Sequence, residues 1–161
     1  MTSLADLVLQ PGEWFFGQSP NRISTLLGSC VAVTVWHPIL RCGGLCHYLL
    51  PARPKSNECL TVPNARYGVD ALELLRCEMT EYAPLLEYHI GCFGGAEMFA
   101  GNQQVGTNNV VLAQKWMRLH AITPQREALG GHLARKIWLD LATGNVQVDV
   151  LAVDRVQGDR L

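Results

Sequence analysis

The sequence predicts an α/β (α+β) layered sandwich, with mixed, largely antiparallel sheets and two main helices, and three segments carry that prediction. Val31–Trp36 is β-branched and apolar, with Val31, Val33 and Val35 on one face and Cys30, Ala32, Thr34 and Trp36 on the other. Residues 67–79 place Val69, Leu72, Leu75, Cys77 and Met79 near helical spacing, with Asp70, Glu73 and Arg76 between them. Residues 136–141 and 146–153 alternate around Ala142, Thr143, Gly144 and Asn145, a hairpin pattern with glycine at a turn position. Hairpins mixed with long helices argue against a doubly wound parallel sheet.

The remaining elements follow in chain order. After the strand at 31–36, residues 44–50 form a second strand ended by Pro51. Residues 51–63 carry three prolines and several polar side chains, and read as a surface loop. The amphipathic helix at 67–79 packs against the sheet. A short strand at 88–93 runs into Gly94 and Gly95. Thr107, Asn108 and Asn109 can cap a helix over 110–120, and residues 121–123 form a brief strand.

Composition bounds what such a chain can do. A length of 161 residues predicts one domain over 1–161, and 48% hydrophobic with 17% charged residues is enough to bury a core. A formal net charge of -1 gives no basic footprint for nucleic acid. No basic, apolar leader opens the chain, and Thr34, His37, Pro38 and Arg41 interrupt its longest hydrophobic region. A cytoplasmic protein with no membrane insertion is expected. The six cysteines, at 30, 42, 46, 59, 77 and 92, are then expected as thiols rather than disulfides.

Chemistry concentrates at Cys30. It follows Gly28 and Ser29 at the mouth of a strand, and His47 lies on the other arm of a hairpin. Folded symmetrically about Pro38 and Ile39, the hairpin would set Cys30 opposite His47 on one face, with Cβ atoms about 4.5–5.5 Å apart. A cysteine beside a histidine suits attack on an amide or acyl carbon. Imidazole takes the thiol proton, and the ring then protonates the leaving group. An adjacent imidazolium would lower the thiol pKa, and backbone amides around Gly28, Ser29 and Cys30 could hold the oxyanion. The ring needs an orienting partner. Ser24 and Thr25 are the nearby candidates, because no Asp or Glu lies between residues 14 and 57.

Two other readings compete on the residues alone. Cys30 and His47 could simply fill a sheet surface. Cys42, Cys46 and His47, with Cys59, could instead approach a zinc site. In a strand, however, residues 42 and 46 share a face from which 47 points away, so no metal is expected. Gly94-Gly95 and Gly130-Gly131 lack the residues of phosphate loops and read as turns.

Several motifs resemble one family in their order along the chain. Residues 25–33 (TLLGSCVAV) and 43–51 (GGLCHYLLP) resemble the opening signature of the CheD chemoreceptor glutamine deamidases. The likeness continues through Arg66-Tyr67, residues 93–98 (FGGAEM), 105–109 (VGTNN) and 130–136 (GGHLARK), and ends in Thr143-Gly144. The resemblance implies a layered α/β cysteine hydrolase that needs no cofactor and converts receptor glutamines to glutamates, thereby tuning chemotaxis. It puts the nucleophile on Cys30 and the histidine on His47. The family's threonine, six residues before the cysteine, falls on Ser24, with Thr25 one place later. The chain also has Ala128 and Ala134 where the family tends to carry Asp and Gly. The implied partners are the cytoplasmic parts of chemotaxis receptors and a CheC-type phosphatase, with recruitment to receptor arrays. A non-catalytic docking module is the alternative, using an exposed glycine-rich face such as Phe93 to Phe99, with Phe93, Gly94 and Gly95 as its named residues. A methylesterase or general amidase would use the same Cys and His.

Overall fold

A computed structural model describes residues 6–19, 21–55, 62–98 and 104–152. Their elements are β1 (Leu7–Val8), β2 (Trp14–Gly17), β3 (Arg22–Leu27), β4 (Val31–Trp36), β5 (Gly43–Tyr48), α1 (Gly68–Tyr82), a 3-10 turn (Leu85–Glu87), β6 (His89–Gly94), α2 (Val105–Leu119), β7 (Arg126–Leu129), β8 (Arg135–Asp140) and β9 (Val146–Val150). One sheet has the order β1-β3-β8-β9 and the other β2-β5-β4-β6-β7. All pairings are antiparallel except β1 with β3 and β6 with β7. The layered α+β architecture expected from the sequence is the one observed.

Strand alternation builds two cores. Val31, Val33 and Val35 of β4 face the helices, where they join Leu72, Leu75 and Met79 of α1 and Ala113 and Trp116 of α2. Ala32 and Trp36 face the other sheet and pack with Leu45, Phe93, Ile23, Leu27, Ile137 and Leu139. Sheet, sheet and helix layers therefore stack in that order. The central strand β4 is buried on both faces.

The hairpin register differs from the symmetric one. Val31 pairs with Tyr48 and Ala32 with His47. The turn centres one residue later than expected because the His37 N–H donates to Cys42 O at 2.8 Å. The His37 Nδ1 accepts the N–H groups of Ile39 (3.3 Å) and Leu40 (3.1 Å) inside that turn, and Arg41 takes a left-handed φ of 51° to close it. Moving the centre by one residue moves each partner by two, which preserves the faces. Cys30 is thus diagonal to His47 rather than opposite it.

Other boundaries shift for local reasons. The strand expected over 44–50 runs Gly43–Tyr48, and α1 runs on to Tyr82. Helix α2 starts at Val105, so Thr107 to Asn109 lie within its first turns rather than capping it. The Glu97 carboxylate accepts the Thr107 N–H at 2.7 Å in their place. No strand forms at 121–123. The Ile122 N–H bonds back to Met117 O at 2.8 Å, and Ala121 is left-handed with φ 55°. Strand β9 ends at Val150. Within the loop expected at 51–63, residues 56–61, including Cys59, lie outside the described residues, as does Phe99.

Candidate active site

Cys30 sits half-buried in the turn between β3 and β4. All three carbonyls of that turn are tied down. Gly28 O accepts the Ala96 N–H at 2.9 Å, Ser29 O accepts Asn109 Nδ2 at 2.9 Å, and Cys30 O accepts the Gly95 N–H at 2.8 Å. The N–H groups of Ser29 and Cys30 make no hydrogen bond to another described backbone group, and the Cys30 N–H lies against its own thiol. This turn therefore holds its acceptors rigidly and presents two adjacent donors beside the thiol.

The end of β6 makes that bracing possible. Gly94 has φ +106° and Gly95 φ +70°, and a Cβ on Gly94 would collide with Cys30 O. Phe93, Gly94 and Gly95 are buried, with Phe93 fully enclosed between the sheets. They cannot be the exposed docking face expected from the sequence; they support the cysteine turn from behind. Gly28 has no positive φ. Its bare Cα leaves room for the Met98 side chain, 3.3 Å from where a Cβ would stand.

His47 is almost wholly enclosed, at 1% exposure. Its Nδ1 lies 2.6 Å from Thr25 Oγ1, and Thr25 Oγ1 donates its own proton to Leu9 O at 2.8 Å. With that proton committed, the hydroxyl accepts from His47 Nδ1–H. The tautomer is fixed, and the ring lone pair is left on Nε2. Nε2 has no partner among the described residues. Of the two candidate hydroxyls, the structure brings Thr25 to the ring. Strand β3 turns Ile23, Thr25 and Leu27 inward and sends Ser24 to the opposite face, where it pairs with Trp138. The position to which the resemblance points is Ser24, whereas the hydroxyl within hydrogen-bond reach of the ring is that of Thr25.

Burial sets the charge state of both groups. It holds the His47 pKa down at about 4 and pushes the Cys30 thiol up. Neutral thiol and neutral imidazole are therefore the resting forms, instead of the thiolate–imidazolium pair expected from the residue types. No hydrogen bond joins Cys30 Sγ to His47 Nε2 among the described residues.

The other cysteines fall elsewhere. Cys42, Cys46 and Cys92 line the helix-side core, where burial pushes the Cys46 thiol up to about 12. His47 points to the opposite face of β5, so Cys42 and Cys46 do not converge with it. Cys77 is exposed on α1.

Comparison with known proteins points to one family. A family model described as "CheD chemotactic sensory transduction" matches residues 49–150. A "Probable chemoreceptor glutamine deamidase CheD 1" from Chromobacterium violaceum is 40% identical over 147 residues, covering 87% of this chain and 75% of the relative. The chain belongs to the CheD family. CheD relatives from Pseudomonas savastanoi pv. phaseolicola (37% identity, 97% of this chain, 90% of the relative) and Dechloromonas aromatica (38%, 90% and 87%) carry the same deamidase name. The CheD model begins just after His47, so roles for Cys30 and His47 rest on the geometry above. Among the described residues no helix is long and apolar enough to cross a membrane.

Two expected results test this geometry in the CheD chain. Thr25→Val leaves Leu9 O and His47 Nδ1 without their partner and is expected to slow turnover about 10- to 100-fold through a misaimed ring. Thr25→Ser should restore most of it, and Ser24→Ala should stay within about twofold of the parent, since Ser24 makes no contact with the ring. Alkylation of Cys30 by iodoacetamide across pH is expected to titrate above the ordinary thiol value of about 8.5. A midpoint below it would show a preformed thiolate and contradict the buried, neutral pair.

Proposed function

We propose that this chain hydrolyses the side-chain carboxamide of glutamines on chemotaxis receptors, with Cys30 as nucleophile, His47 as base and acid, and Thr25 as the residue that orients the ring. The observation that carries the reading is the Leu9–Thr25–His47 relay. It spends the proton on Nδ1 and leaves a buried lone pair on Nε2, on the face of β5 that Cys30 shares. Diagonal strand neighbours lie about 7–8 Å apart, a span that a side chain as long as that of His47 reaches across.

The reaction then runs from a neutral pair. The Cys30 thiol passes its proton to His47 Nε2 as Sγ attacks the carboxamide carbon, and the oxygen takes up the negative charge opposite the N–H groups of Ser29 and Cys30. The imidazolium protonates the amide nitrogen, the C–N bond breaks and ammonia leaves. Water gives a proton to His47 and adds to the thioester. The C–S bond then breaks, releasing glutamate and returning the thiol. The donors are already in place when charge develops, which is where such groups act most strongly.

The receptor's cytoplasmic part is the direct partner in this reading, acted on in the cytoplasm by a single domain spanning the chain. A CheC-type phosphatase is a second partner, and recruitment to receptor arrays follows from the substrate's location. Incubating the purified protein with a receptor cytoplasmic fragment tests the reading, by the mass change when glutamine NH2 is exchanged for OH. Glutamates at defined sites, absent with Cys30→Ala, support it; unchanged glutamines with folded parent protein overturn it.

A further inference from the structure

We infer that Asn109 is a positioning residue for the reaction, clamping the nucleophile turn to the strand that carries the base; this rests on the roles proposed above for Cys30 and His47. Asn109 lies in the second turn of α2 and is fully enclosed. Its Nδ2 spends both protons, one on Ser29 O at 2.9 Å and the other on Leu49 O at 2.8 Å. Ser29 precedes Cys30, and Leu49 lies two residues after His47. The last rung of the β4–β5 ladder is Val31 with Tyr48. Just beyond it, where strand pairing no longer holds the two segments together, the Asn109 amide bridges them.

The orientation of the amide follows from chemistry. Turned over, it would set Oδ1 against two carbonyl oxygens, so the donors must face Ser29 and Leu49. Oδ1 is then left buried without a partner. An unpaired buried acceptor is destabilising, and an apolar side chain would avoid it. What asparagine adds at this position is the pair of donors.

The helix behind the clamp is itself fixed. Tyr48 Oη donates to Asn109 O at 2.6 Å. A Cβ on Gly106, one turn earlier, would collide with Gly95 O and Ala96 O, so α2 presses on the same β6 end that holds the carbonyls of Gly28 and Cys30. Helix, β6 end and nucleophile turn form one block, and Asn109 joins the end of β5 to it.

The test compares Asn109→Ala with the parent on a receptor fragment. Expected is a kcat lower by about 10- to 100-fold, as a displacement of about 1 Å at a reacting group brings, with KM for the fragment unchanged. A kcat equal to the parent's, or a loss carried wholly by KM, overturns the inference. Should Asn109→Ala not fold, Asn109→Asp decides by its pH profile. Its ionised carboxyl opposes two carbonyls, whereas its protonated form donates one bond, so activity relative to the parent should rise as pH falls from 8 to about 5.5. A ratio independent of pH overturns the clamp. If the parent itself deamidates nothing, the functional reading fails, and the clamp is still judged by iodoacetamide labelling of Cys30. Faster labelling in the folded variant supports it, and an unchanged rate overturns it.

Discussion

Replacing Cys30 by alanine is expected to remove deamidation by about four orders of magnitude or more, because loss of a covalent nucleophile forfeits the whole two-step route. The fold should survive. Cys30 is only half-buried, its turn is held through the backbone carbonyls of Gly28, Ser29 and Cys30, and alanine keeps all three. Thermal unfolding of Cys30→Ala should match the parent while glutamine masses in a receptor fragment stay unchanged. A variant that still deamidates would move the chemistry away from this turn altogether.

His47→Gln is expected to slow turnover by about 10²- to 10⁴-fold, the range general acid–base catalysis supplies. Glutamine can fill the space but cannot carry a proton between thiol, leaving nitrogen and water. A second signature reports the burial of the ring itself. The buried ring has its pKa held near 4 by desolvation, against about 6.5 in the unfolded chain. As pH falls below 6.5 the unfolded chain takes up a proton that the folded one refuses, so stability is full above 6.5 and declines until about pH 4. The loss amounts to roughly 3 kcal/mol. Denaturant unfolding at stepped pH should show that decline in the parent and not in His47→Gln, while kcat in the parent persists toward pH 4 instead of falling through the ordinary histidine range.

Much of this was legible in the sequence wherever periodicity is strong. The valine alternation of β4, the amphipathic α1 and the β8–β9 hairpin each announce their partners through one apolar face. Strands β1, β2, β3 and β7 do not. Strand β1 has two residues, β2 is half-buried along its length, β3 buries residues on both faces, and β7 begins with Arg126 and Glu127. The weak pattern of β3 matters at the site. The choice between Ser24 and Thr25 depends on strand phase, and only with Ile23 and Leu27 recognised as inward does Thr25 fall on their side. Cys30 and His47 stand out by residue type and by parity across the hairpin. Their exact register does not, because the His37 ring fixes the turn centre through bonds to Ile39 and Leu40. The raised thiol and the lowered imidazole come from burial under a second sheet, and Asn109 reaches Ser29 across 80 residues of chain. Neither has a local trace.

The most direct test of a cysteine-bound acyl intermediate is partition with hydroxylamine during turnover on a receptor fragment. A thioester on Cys30 is open to any small nucleophile, so part of the product should be the glutamyl hydroxamate, rising with hydroxylamine concentration at the same sites that otherwise become glutamate, and absent with Cys30→Ala. Glutamate forming with no hydroxamate at any concentration, or hydroxamate persisting without Cys30, would contradict the account.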